Sequence, residues 1–241
     1  MQQPIFYTAG ETAALRHAKN ILQQWGHTVS PIPSCHVTHL LLPVPSFENS
    51  RILKGGQSLS DVLKHLPETI TVLGGNLPQM PYRSIDFLKD GYYLWENAGI
   101  TAQCAVKILQ QRDLEGASVL LIGWGRIGKQ LLPLLKHQGA TVTVAVRKDT
   151  VYRQLQELGI SAVLISQWQP RQYDMIVNTA PALLLDEKET HPDAFLMDLA
   201  SAQGISGNRV LWERGLPNRY APESSGTLIA KTALRYALGK E

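Results

Sequence analysis

Apolar residues along the chain fall into short runs separated by stretches in which they recur every three or four positions, the alternation of a parallel α/β sheet. Two such series follow one another. The first opens with Ile5-Phe6-Tyr7-Thr8, a predicted strand. Beyond Gly10, the positions Ala14, Leu15, Ala18, Ile21, Leu22 and Trp25 keep helical spacing up to a stop at Gly26. Strands are expected over Thr28–Ile32 and in the run Leu40–Val44, then a helix near Leu59–Leu66, and strands over Thr69–Leu73 and Tyr92–Trp95. A helix with Ala102, Ala105, Val106 and Leu109 on one face leads out of this series and links it to the next.

The second series begins with strand Ser118–Ile122, turns at glycines, continues as helix Arg126–His137 and returns as strand Thr141–Val146, a βαβ unit. Further strands are expected at Ser161–Ile165, Met175–Val177, Phe195–Asp198 and Val210–Trp212. A last helix is expected over 224–238, packing back on the first series. The division this predicts is a substrate domain over 1–97 and a nucleotide domain over 98–241, joined through helix 98–112. Small-molecule sites are commonly built in a cleft between two such domains.

Composition narrows the classes. The 241 residues are 44% hydrophobic and 18% charged, an ordinary globular balance. With 23 basic and 20 acidic residues the net charge is only +3, far from the dense cationic footprint that neutralises nucleic-acid phosphates, so no nucleic-acid partner is expected. No run approaches the roughly 18 apolar residues of a membrane span, and the start Met1-Gln2-Gln3-Pro4 lacks a leader pattern. A cytoplasmic protein with no membrane partner is expected. Cys35 and Cys104 read as reduced packing residues. Cys35-His36-Val37-Thr38-His39 holds three ligand-type side chains but no second cluster at zinc spacing, so a plain loop and no metal are expected.

The string Gly123-Trp124-Gly125-Arg126-Ile127-Gly128 is a G-x-G-x-x-G motif between a predicted strand and a predicted helix. Gly123 permits the tight turn, Gly125 lets a pyrophosphate approach the backbone, and Gly128 allows helix and strand to pack closely. The fold class is therefore α/β, with two open parallel-sheet domains: a flavodoxin-like N-terminal domain and a Rossmann dinucleotide-binding domain. The strand after the motif ends in Arg147-Lys148, where an NAD enzyme ordinarily places an acid for the adenosine ribose. No Asp or Glu occurs from Gly116 to Lys148, and the two cations suit a ribose 2′-phosphate, so NADP is the expected cofactor.

Asn178-Thr179-Ala180-Pro181 and Asp198-Leu199-Ala200-Ser201 each end a predicted strand at the sheet edge where a cofactor lies, although either is equally readable as a capped loop. Gly215 through Pro222 leads to Glu223-Ser224-Ser225-Gly226 and the last helix, whose free N–H groups suit a carboxylate, with Arg219 nearby. An N-cap at Ser224 and a surface charge at Arg219 explain the same residues. In the first domain Ser46, and Gly74, Gly75 and Asn76 after a strand, are further substrate candidates, with plain turns as the alternative.

Taken together, Leu42-Pro43-Val44, Gly74-Gly75-Asn76, Asn97–Ala102, Gly123–Gly128, Val146-Arg147-Lys148, Asn178–Pro181, Asp198–Ser201 and the stretch from Gly215 to Gly226 resemble the dipicolinate synthase family in its first, NADP-dependent subunit, over nearly the whole chain. Gln103 and Ser224-Ser225 depart from its pattern. The resemblance implies NADP-dependent oxidation of a dihydrodipicolinate-type precursor to dipicolinate, the dicarboxylate of bacterial spores, with the second, flavoprotein-like dipicolinate synthase subunit for a partner; a homo-oligomer is also expected. One substrate carboxylate would then meet Arg219 and Ser224, Ser225 and Gly226, and the other Gly75 and Asn76. No acid/base residue is singled out, because hydride loss from a dihydropyridine makes an aromatic ring and leaves an easily lost proton. The chain is also similar to D-2-hydroxyacid dehydrogenases, without their catalytic Arg, Glu and His. A non-catalytic NADP-binding sensor or assembly factor is the third reading.

Overall fold

The apolar runs of the first series become the strands of one parallel sheet. The computed structural model describes residues 3–52 and 55–239, so Met1 and Gln2 of the chain's start lie outside the described residues. In chain order the elements are β1 (Ile5–Thr8), α1 (Ala13–Gln24), β2 (Thr28–Ser30), β3 (His39–Leu41), a hairpin of β4 (Phe47–Glu48) and β5 (Arg51–Ile52), α2 (Leu59–Leu63), β6 (Thr71–Gly74) and β7 (Arg83–Asp86). The sheet order is β2-β1-β3-β6-β7 with every pairing parallel, the flavodoxin-like order. Leu40 and Val72 sit side by side in β3 and β6 and are fully buried, with Val37, Leu42 and Ile70 in the same core.

Next comes α3 (Gly91–Leu109), a single helix through the aromatic stretch Tyr92–Trp95 where alternation had suggested a strand. Its start is set by Asp90, whose carboxylate accepts the Tyr93 N–H at 2.6 Å. The sheet's last strand is β7 instead, a polar segment pairing only with β6 and so free to expose Arg83 and Ser84.

The second series builds β8 (Ser118–Ile122), α4 (Arg126–His137), β9 (Thr141–Val146), α5 (Asp149–Glu157), β10 (Ala162–Leu164), β11 (Met175–Asn178), β12 (Leu185–Asp186), β13 (Phe195–Asp198), β14 (Ile205–Ser206) and β15 (Leu211–Trp212). Its six-stranded parallel sheet runs β10-β9-β8-β11-β13-β15, which in that sheet's own count is 3-2-1-4-5-6, the Rossmann order. Strand order reverses between β8 and β11, and ligands of such sheets bind beyond the carboxyl ends there. Leu120, Ile122, Ile176 and Leu196 form the core on one face.

The chain closes with α6 (Leu216–Tyr220) and α7 (Pro222–Ala237). Contacts divide it into two units, Met1–Asn97 with Pro217–Glu241, and Ala98–Leu216. The closing helix falls in the first unit because it packs along α1: a Cβ on Gly226 would stand 2.4 Å from the Ala14 carbonyl oxygen and 2.9 Å from the Ala18 nitrogen. The Asp90 carboxylate also takes bonds from Arg235 and from the Tyr236 hydroxyl of α7. Among the described residues no helix is long and apolar enough to cross a membrane.

Candidate functional site

At the carboxyl ends of β8 and β9 the second unit carries a cleft of about 510 Å³, within the span of roughly 300–1,000 Å³ typical of ligand sites. The glycine turn forms one end. Gly123 has a φ of 99°, and a Cβ there would lie 2.7 Å from Thr179 Oγ1. Gly128 is tighter still, since a Cβ would stand 2.3 Å from the Gly123 carbonyl oxygen. Gly125 is open, with no atom within 4 Å of where its Cβ would be. It is also the N-cap of α4 and supplies no side-chain cap, so the first N–H groups of that helix face outward without a side-chain acceptor. The three glycines thus do three different things: a left-handed turn, an open approach and a close helix contact.

Arg147 and Lys148 form the other end of the cleft, just past β9, and both are exposed. Lys148 N-caps α5 without a side-chain bond, while Asp149 is held by Arg153 at 2.8 Å. Lys129, one turn into α4, lines the same cleft, and the lining contains no Asp or Glu. A polyanion entering here therefore meets cations and helix N–H groups with no opposing carboxylate.

Of the residues expected from sequence, Gly123, Trp124, Arg147, Lys148, Ala180 and Pro181 line this cleft together. Arg126 and Ile127 stand in the first turn of α4 beside it. Thr179 donates to the Ile122 carbonyl at 2.9 Å and braces the glycine turn from below. Asn178 and Asp198 are fully buried and spend their side chains on the protein itself, so they do not offer them to a ligand. Ala200 is buried, its N–H bonded to Asp198 and its carbonyl to Trp212 Nε1, and Ser201 is exposed outside the cleft lining. Sequence reading missed Lys129, Val151, Gln154, Ile165, Ala182 and Leu184. Val151 and Gln154 lie on α5, a helix whose one buried residue is Leu155.

The eight substrate candidates all fall in the first unit. Ser46 is completely buried; its hydroxyl donates to the Pro43 carbonyl at 2.7 Å and accepts from the Gly75 N–H at 2.9 Å. Gly74 and Gly75 are glycines for packing, since Cβ atoms there would lie 2.3 Å from Ser46 Oγ and 2.6 Å from Val44 Cγ1. Ser46 and these glycines therefore form a closed brace between two loops and do not offer the Ser46 hydroxyl to a ligand. Asn76 is exposed at a φ of 57°, with its N–H on Asp86 Oδ1 at 3.0 Å. Helix α7 begins at Pro222, so its N-cap is Ala221 and Ser224 stands inside the first turn, since proline favours the first helical position. Ser225 and Gly226 are buried, and the Ser225 hydroxyl has no hydrogen-bond partner among the described residues. Arg219 is exposed, with its guanidinium 5.2 Å from the Tyr220 ring centre. Of the eight, only Asn76, Arg219 and Ser224 thus present side chains to solvent.

The chain matches no protein-family model and no curated protein. Solved structures do match it. The first subunit of dipicolinate synthase from Bacillus halodurans superposes with a TM-score of 0.80 at 19% identity, covering 98% of this chain and 97% of that one. The corresponding dipicolinate synthase chain from Bacillus subtilis gives 0.80 at 17% identity, covering 100% and 99%. This chain has the fold of that dipicolinate synthase subunit. D-lactate dehydrogenase from Escherichia coli is more distant, with a TM-score of 0.58 at 14% identity over 99% of this chain and 97% of that one. The likeness to dipicolinate synthase takes in both units, and an L-alanine dehydrogenase structure also superposes, with a TM-score of 0.63 at 11% identity over 98% of this chain and 80% of that one.

Proposed function

We propose that this protein is an NADP-dependent oxidoreductase of the dipicolinate synthase type, oxidising a dihydrodipicolinate-type precursor to dipicolinate. The observation that carries the reading is the acid-free cleft, in which the glycine turn and the first turn of α4 stand at one end and Arg147, Lys148 and Lys129 supply cations. Those residues fit a dinucleotide: the open face of Gly125 admits the pyrophosphate, and the cations past β9 suit a ribose 2′-phosphate. When bound, the nicotinamide would supply the acceptor for a hydride from the substrate. Loss of that hydride and one proton turns the dihydropyridine ring into an aromatic pyridine, so the protein's task is chiefly to hold the two reactants in place. Asn76, Arg219 and Ser224 are the exposed groups suited to the substrate's carboxylates. The flavoprotein-like second subunit of dipicolinate synthase is the expected partner, and a homo-oligomer the expected assembly, by likeness to the same family.

The test mixes the purified protein, with and without a candidate flavoprotein-like partner, with NADP and freshly made precursor, while pyridine and reduced-cofactor absorbance are followed together. Equal amounts of both products are expected. Pyridine formed without cofactor reduction, even with the partner present, would mean that the chain binds or assembles but does not transfer hydride.

A further inference from the structure

Asn178 and Asp198 end the neighbouring strands β11 and β13 in direct register, and both are completely buried. The Asn178 amide nitrogen donates to Asp198 Oδ1 at 2.9 Å and to the Ala180 carbonyl at 3.0 Å, while its oxygen accepts the Ala180 N–H at 3.0 Å. The same Asp198 carboxylate accepts the N–H groups of Ala200 at 2.9 Å, Gly204 at 2.6 Å and Ile205 at 3.0 Å. Among the described residues, the donors to this carboxylate are thus neutral, three backbone N–H groups and one amide. Such a buried acceptor is satisfied only while all its donors stay in place.

The pair is hydrogen-bonded to the segment that walls the cleft and to the loop behind it. Ala180, Pro181, Ala182 and Leu184 line it, and they follow directly from Asn178. The segment is closed on its far side by the Gly204 carbonyl, which accepts from the Leu184 N–H at 2.8 Å. Gly204 has no room for a side chain, because a Cβ would stand 2.3 Å from the Asn178 amide nitrogen and 2.6 Å from the Ala182 carbonyl oxygen. We infer that Asn178 and Asp198 are positioning residues for the dinucleotide: acting through Ala180, Pro181, Ala182 and Leu184, which line the cleft, they set the position of its wall without lining it themselves. This inference rests on the cleft being a dinucleotide site.

The experiment titrates NADPH into the full chain by fluorescence at pH 8 and pH 5.5, and expresses each variant as a ratio to the unmodified protein at the same pH. Asn178→Asp sets a second carboxyl group against Asp198, and two carboxylates so close cannot both ionise at low cost. It is expected to weaken binding about tenfold at pH 8, with the loss shrinking to about threefold at pH 5.5 as a shared proton restores one donor. Gly204→Ala pushes the same groups apart without altering any charge. Its loss is expected to be about tenfold at both pH values, because steric displacement does not titrate. Melting curves report whether each variant stays folded. An unmodified protein that binds no dinucleotide sinks the reading of the cleft, and this inference with it. Binding by the unmodified protein together with unchanged affinity in both folded variants overturns the inference alone. Failure of both variants to fold would also overturn it, by assigning the pair to fold maintenance.

Discussion

If the cleft holds a dinucleotide as proposed, cofactor choice would turn on single side chains at the end of β9. Without an acid in the cleft lining, an adenosine ribose hydroxyl would have no charged acceptor, whereas a 2′-phosphate would gain a charge-assisted bond from Arg147 of roughly 1.5–3 kcal/mol. At about 1.4 kcal/mol per tenfold this corresponds to roughly 10- to 150-fold discrimination. Arg147→Ala is expected to weaken NADP by that factor while leaving NAD nearly unchanged, and the difference should shrink with salt because Arg147 is exposed. Calorimetric titration of both cofactors into both proteins checks it, and equal NADP and NAD affinities in the unmodified protein would refute the preference. At this scale the glycine turn and Arg147-Lys148 were readable because their chemistry is local: spacing, conformational freedom and charge are properties of adjacent residues. Asn178 and Asp198 were visible as strand-end residues, but that each spends its side chain on the other follows only from the register of β11 with β13, which no local pattern encodes. Ser46 was similarly opaque, because its partner Gly75 lies 29 positions away.

Elements show the same division between local and distant causes. Strands β8 and β9 and helix α4 were legible to their end residues because each has an apolar face and glycines at its turns. By contrast, Tyr92–Trp95 has strand-like composition, and what makes it helical is the Asp90 cap together with Arg235 and Tyr236 arriving from α7. Strand β7 escaped notice because an edge strand pairs on one side and need not be apolar. The contact of α7 with α1 is a sharper case. Gly226 lies mid-helix, where exchange for alanine would ordinarily gain about 0.5–1 kcal/mol of helix stability. Here the new methyl group would press on the backbone of Ala14 and Ala18, which cannot rotate away. Gly226→Ala is therefore expected to destabilise the first unit by about 2–3 kcal/mol, packing strain outweighing propensity. Chemical denaturation, read by a probe in the first unit such as Trp25, gives the sign directly.

For the whole molecule, the decisive fact is that the second unit is one continuous stretch, Ala98–Leu216, whereas the first is assembled from both ends of the chain. All six strands of the Rossmann-order sheet and every residue lining the cleft fall inside that stretch. A fragment spanning 98–216 is expected to fold and to bind NADPH within about threefold of the full chain. A chain ending at Leu216 is expected to keep that binding but to lose the cooperative melt of the first unit, whose α1 would be left without α7. Circular dichroism melts of the two truncations alongside NADPH titration separate these outcomes.

The split course of the first unit also imposes an order on biosynthesis. Chains emerge from the ribosome at roughly 5–20 residues per second, and domains ordinarily fold in the order in which they appear. Here the five strands of the first sheet are made early, yet the helix that covers α1 is translated only after the second unit, a delay on the order of 10 s while residues 98–237 are added. Throughout that interval the apolar side of α1 around Ala14 and Ala18 lacks α7, leaving apolar surface of the nascent first unit uncovered. The second unit, though begun later, is the first whose parts are all present.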